Sequence, residues 1–204
     1  MRLVENQIYD SWVKFKMKWT KPLLIALDKL GVSAHFVSFL SLLFGILTIP
    51  ALMTGKFHLI SWLIIGHAIA DGLDGALARH QGKASDKGKF IDIFVGNLFV
   101  SLLVIGLIFS DLIDPTVGAL YIYLTLLLEV LMMIYNNSKF YKSEDWLFYA
   151  KGGALCHLSK AILNTYLVFW GFFSWPYLQE IVMLGTIYLG ILTVIYFFKI
   201  TMET

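Results

Sequence analysis

Charge is scarce in this chain. Sixteen Lys and Arg and 14 Asp and Glu make up only 15% of 204 residues, while 58% are hydrophobic. Soluble domains run at about 45–50% apolar, and too few polar side chains are present to cover this much apolar surface, so a water-soluble globule is excluded. Cysteine is nearly missing: the lone Cys156 rules out an intramolecular disulfide and, in an apolar segment, reads as a packing residue. A net charge of +2 is too small to argue for a nucleic-acid partner. The first thirty residues lack a continuous apolar run behind a short basic stretch, so no cleavable signal is expected, and the first membrane helix would serve as an uncleaved one. There is no internal repeat, no low-complexity tract and no sign of a second folded domain.

What is present is a series of apolar blocks near the length of about 20 residues that a helix needs to cross a bilayer core. The expected fold is an all-α integral membrane protein. Residues 1–30 read as an interfacial amphipathic segment and residues 31–204 as a domain of six transmembrane helices. In the entry segment Ile8, Trp12, Phe15 and Trp19 recur at spacings that place them on one helical stripe, with Lys14 and Lys18 on the other side. The spans are expected at about 33–52, 58–79, 89–109, 116–135, 153–173 and 176–198, with Ser33 as the first N-cap. Thr54-Gly55-Lys56, Asp111 to Pro115, Asn136-Asn137-Ser138 and Ser174-Trp175-Pro176 serve as turns. Lys and Arg concentrate in the N-terminal segment, around 79–89 and at 139–151, whereas the other loops offer only Lys56. By the positive-inside bias both termini and the two basic loops face the cytoplasm.

The informative motif lies where the second span ends: Asp71-Gly72-Leu73-Asp74-Gly75-Ala76-Leu77-Ala78-Arg79, followed by a polar loop, Gly88 and Asp92. Carboxylates on a membrane helix are costly unless paired, hydrated or bound to cations. On a helix Asp71, Asp74, Gly75 and Ala78 share one face, and Gly88 and Asp92 share a face of the next. Asp71 lies about 12 Å of helix rise from Arg79, two turns below the cytoplasmic mouth. Three anionic oxygen ligands suit a hard cation such as Mg²⁺, Mn²⁺ or Ca²⁺, and such ions hold a pyrophosphate and neutralise charge during phosphoryl transfer. Gly75 and Ala78 keep the face bare for a nucleotide, and Arg79 is suited to a phosphate or to bracing the carboxylates. A carboxylate–arginine cluster that only fastens two helices is the plain alternative, and an acidic ion pathway in a transporter is another.

The same residues, Asp71-x2-Asp74-Gly75-x2-Ala78-Arg79-x8-Gly88-x3-Asp92, resemble the signature of the CDP-alcohol phosphotransferases. The entry segment, Gly31-Val32-Ser33-Ala34 and the six-span layout are also similar to that family, although only the motif is specific. The resemblance implies a metal-dependent transferase of phospholipid synthesis, often a homodimer. An acceptor alcohol would attack the β-phosphate of a CDP-linked lipid or other CDP-alcohol donor, releasing CMP at a site open to the cytoplasm. In a bacterium or archaeon the enzyme would sit in the cell membrane. It further implies Asp71, Asp74 and Asp92 as ligands of Mg²⁺ or Mn²⁺, and Asp71, Asp74, Gly75, Ala78, Arg79 and Gly88 as positions around the nucleotide.

One position departs from the pattern. The family has a fourth aspartate four residues after the third, credited with metal binding and with deprotonating the acceptor. Here that residue is Gly96, and the side chain of adjacent Asn97 points about 100° away. Loss of a general base typically costs about 10²–10⁴ in rate. The expectation is therefore a slow transferase, or a relative that binds CDP-lipid or nucleotide without turnover. His67, one turn before Asp71, and Glu129, inside the fourth span, are weak candidates for the missing base. A satisfied buried histidine is the ordinary reading of the first, and a polar helix contact that of the second. Asp86 reads as solvated charge. Lys160, in the fifth span, is a candidate phosphate contact or a residue that snorkels to the headgroups. Lys142 and Lys151 are weaker candidates of the same kind, and Trp12 and Trp146 read as interface anchors.

Overall fold

A computed structural model describes residues 20–140 and 154–203. All regular structure among them is helical: α1 (20–29), α2 (Ala34–Met53), α3 (Phe57–His80), α4 (Asp86–Phe109), α5 (Pro115–Phe140), α6 (Ala154–Phe173) and α7 (Leu178–Glu203). The stripe Ile8, Trp12, Phe15, Trp19, its facing lysines, and Lys142, Trp146 and Lys151 lie outside the described residues.

Five of these helices, α2, α3, α4, α5 and α7, are long and apolar enough to cross a membrane. The expected fifth span, α6, has 20 residues but is not among them. Its sequence carries His157, Ser159, Lys160, Asn164 and Thr165, which lower its apolarity. Large hydrophobic side chains such as Phe36, Phe39, Trp62, Phe94, Phe109 and Ile187 remain exposed, an outer surface suited to lipid rather than water.

Local chemistry sets the helix ends. Ser33 is extended and accepts a hydrogen bond from Phe36 N at 3.2 Å, the N-cap expected for α2. Gly55 takes φ +66° in the turn into α3, where a side chain would be strained. The third span, Phe90–Phe109, lies where expected, but its helix begins earlier, at Asp86. Ser85 caps it by accepting from Gly88 N at 3.1 Å, so Asp86 is the first residue of a helix and not part of the loop. The fourth span, Pro115–Tyr135, also matches its expected bounds, but Asn136-Asn137-Ser138 do not form a turn: α5 continues through them to Phe140. Poor helix propensity costs only tenths of a kcal/mol per residue there, too little to end a helix already packed along its length. Asp114 opens α5 by accepting from Thr116 N and Val117 N, and α7 starts at Leu178, two residues past the proline.

Packing explains how the motif is held. α2 lies along both α3 and α4, while α3 and α4 themselves meet only lightly. The α2–α4 crossing is close because Gly45 faces Phe99 and Gly106 faces Ile49 and Leu52; small residues let membrane helices approach backbone to backbone. α3 packs on α6 through Ser61, whose hydroxyl donates to Val168 O at 2.8 Å, and Gly171 leaves no room there for a side chain against Ser61 Oγ and Phe57 O. α5 pairs with α7, with Tyr121 against Gly185 and Tyr135 edge-on to Tyr196. The main core runs through Ile60, Ile64, Phe99, Leu103, Leu128, Leu167 and Leu189. A second cluster joins Leu24 of α1 and Val37 of α2 to Ala70, Ala76 and Leu77 of α3, so the entry helix rests against the motif helix. Just past α3, the Gln81 amide donates to Asp28 Oδ1 and to Val32 O, each at 3.0 Å.

Candidate functional site

The motif occupies the last three turns of α3, where Ala70, Ala76 and Leu77 pack against α1 and α2 between the polar residues. Asp74 is 4% exposed. Its Oδ2 accepts from Ser38 Oγ of α2 at 2.6 Å, and its Oδ1 accepts from Gly75 N. A buried carboxylate needs such donors, because an unsatisfied one costs several kcal/mol. Asp71, half-buried, directs Oδ1 toward α4. A Cβ built on Gly96 would sit 4.0 Å from that oxygen and meet nothing nearer. Gly96, the position of the departure from the family pattern, therefore faces Asp71 across the thin α3–α4 seam.

Arg79 is exposed, and its guanidinium lies back over Gly75, with Nη1 3.5 Å from where a Cβ would stand. The bare glycine face thus makes room for a cation beside the carboxylates. Ala78 is half-buried. Gly88 lies in the first turn of α4, donating to the Ser85 cap, with Asp92 half-buried one turn further on.

These residues share the α3–α4 end of the bundle, but not all of them converge. No three His, Cys, Asp or Glu side chains among the described residues form a group able to hold a metal ion. The oxygen donors of Asp71, Asp74 and Asp92 are chemically right for a hard divalent cation, and these are the residues that would hold one.

The remaining candidates are placed as follows. His67, 5% exposed, has Nδ1 2.7 Å from Ser41 Oγ and lies flat on Phe99, with ring centroids 3.4 Å apart. Hydroxyl and ring together occupy it as a packing group of the α2–α3–α4 junction. Glu129 of α5 is 5% exposed and forms an ion pair with Lys160 of α6 at 3.1 Å. Lys160 also donates to Asn97 Oδ1 of α4 at 2.6 Å. Lys160 is thus turned into the bundle, where it ties three helices, instead of reaching outward.

Three contributors were not picked out from the sequence. Ser38 and Ser41 hold Asp74 and His67; their spacing of three on an otherwise apolar span was the available signal. Asn97 points away from Gly96, as its helical position requires, and its significance appears only with Lys160 beside it. A recess lined by Lys56, Phe57, His58 and Gly171 lies at the other end of α3 and contains none of the motif residues.

Comparison with known proteins agrees with the motif. The family model for CDP-alcohol phosphatidyltransferase matches residues 31–192. The chain is also 35% identical over 84 residues to the inner membrane protein YnjF of Escherichia coli (strain K12), a match that covers 41% of this chain and 40% of that protein's length. No solved structure matches. The family model spans the motif, the Gly96 seam and most of the helical bundle, and the chain belongs to the CDP-alcohol phosphatidyltransferase family.

Proposed function

We propose that this multi-pass membrane protein transfers the phosphoalcohol group of a CDP-linked lipid or other CDP-alcohol to an acceptor hydroxyl, in phospholipid synthesis. The acceptor oxygen bonds to the β-phosphorus, the bond from that phosphorus to the oxygen of CMP breaks, CMP leaves, and the acceptor proton passes to a base. The observation that carries the reading is Asp71 turned toward a stretch of α4 that has no side chain at Gly96, with the Arg79 guanidinium laid over Gly75 on the same helix. Arg79 provides charge for a phosphate, the Gly75–Ala78 surface admits a nucleotide, and Ser38 fixes the Asp74 carboxylate so that it need not reorganise. The proposal includes a requirement for Mg²⁺ or Mn²⁺ at Asp71, Asp74 and Asp92, to be tested by chelation and add-back. It also includes a homodimer with both termini and the site on the cytoplasmic side, where the basic segments lie.

A second reading rests on Gly96. With no carboxylate at that position, the protein would bind the CDP-alcohol and not turn it over. Purified protein incubated with CDP-diacylglycerol, a panel of alcohols and Mg²⁺ or Mn²⁺ separates the two. The transferase releases CMP slowly, and Gly96→Asp raises the rate, up to the ~10²–10⁴-fold that a placed general base contributes. Donor binding with no CMP from either protein leaves the non-catalytic reading, and no donor binding at all overturns both.

A further inference from the structure

Transfer requires a group to take the acceptor proton, and the position facing Asp71 on α4 has none. Of the two side chains that could replace it, His67 is committed: its Nδ1 is bonded to Ser41 and one ring face is covered by Phe99. Glu129 is placed differently. Its carboxylate meets Lys160 Nζ at 3.1 Å, and the same ammonium bonds Asn97 Oδ1 at 2.6 Å. Asn97 follows Gly96 in α4, so the Glu129–Lys160 pair adjoins the vacated position, about 100° round the helix. A lysine and a glutamate are expensive to keep inside an apolar bundle, and among the described residues this is a buried pair that joins three helices at the level of the motif.

We propose that Glu129 is the base of this chain, a carboxylate supplied from α5 in place of the one that α4 lacks at Gly96. This rests on the transferase reading above. The acceptor O–H bond breaks as its oxygen bonds to the β-phosphorus, the proton moves to a Glu129 carboxyl oxygen, and CMP carries away the electrons of the broken P–O bond. Lys160 then acts as a positioning residue, holding Glu129 against the Asn97 side of α4.

The test compares CMP release with binding of radiolabelled CDP-diacylglycerol in six purified proteins: wild type, Glu129→Gln and Glu129→Asp, and each of these three with Gly96→Asp added. The expected result is a fall of about 10²-fold in CMP release for Glu129→Gln at unchanged donor binding, with the aspartate at 96 restoring turnover in the double variant. Gly96→Asp alone is the reference for the rescue: if Glu129 is the base, its replacement costs rate without Gly96→Asp and little with it, whereas a purely structural Glu129 loses rate by the same factor in both backgrounds. Glu129→Asp keeps the charge beside Lys160 and covers the case in which the Gln variant does not fold. Reduced release at unchanged donor binding, restored by adding Gly96→Asp, then supports the proposal. Wild-type rates in both Glu129 variants, or a loss that Gly96→Asp does not restore, overturns it while the transferase reading stands. A wild type that binds donor and releases no CMP overturns both.

Discussion

Helix α4 presents two unlike sides to its neighbours. Toward α3 it offers Gly96, and the nearest atom to a side chain added there is a carboxylate oxygen 4.0 Å away. One residue on, it offers Asn97, bonded to Lys160 and through it to Glu129. The first side is open and light in contacts; the second is tied by charge in a low-dielectric interior. A single helix thus borders the open Gly96 seam and, one residue on, is tied to α5 and α6, which teaches that an ion pair on neighbouring helices fixes the stretch of α4 beside the motif.

The largest expected departure is on the tied side. Lys160→Met leaves Glu129 buried beside an apolar neighbour and should lower stability by about 3–5 kcal/mol, whereas Lys160→Met with Glu129→Leu should recover most of that loss. Thermal unfolding in detergent reads both, and equal losses in the single and double variants would mean that the pair contributes nothing through charge. An intermediate effect is expected where α4 meets α2. A Cβ on Gly45 would stand 2.9 Å from the Phe99 ring and 3.4 Å from Phe99 Cα. Phe99 is fully buried and stacked on His67, so Gly45→Ala should cost about 1–3 kcal/mol by overpacking. The smallest effect, of opposite sign, belongs to the open side: Gly96→Ala adds a methyl into free space and removes a helix glycine, and should stabilise by up to about 1 kcal/mol. If it destabilised as much as Gly45→Ala, the cleft beside Asp71 would be closed and the contrast would fail.

Much of this was legible in the sequence because it depends on local rules. Hydropathy marks the spans, Ser33 and Gly55 mark ends, and the Asp71–Asp92 spacing marks the motif. What was not legible depends on which helix lies beside which. Nothing in the motif predicts that α2 would lie along both α3 and α4, and that placement is why Ser38 joins Asp74. Hydropathy places the third span at its observed start but misses the polar first turn of α4, because Asp86, Lys87 and Lys89 break the apolar pattern and the Ser85 cap carries no hydropathy signal. Lys160 reads from sequence as a residue able to snorkel; only the depth of Glu129 and Asn97 on other helices turns it inward.

The Gln81 amide has a mechanical consequence. By bridging Asp28 and Val32 it fixes the foot of α3 to the corner between α1 and α2, so the carboxylates cannot rise or sink in the bilayer independently of the entry helix. Their depth is set relative to that corner, and a tilt of α1 would be delivered to Asp74 and Asp71 as a change of level.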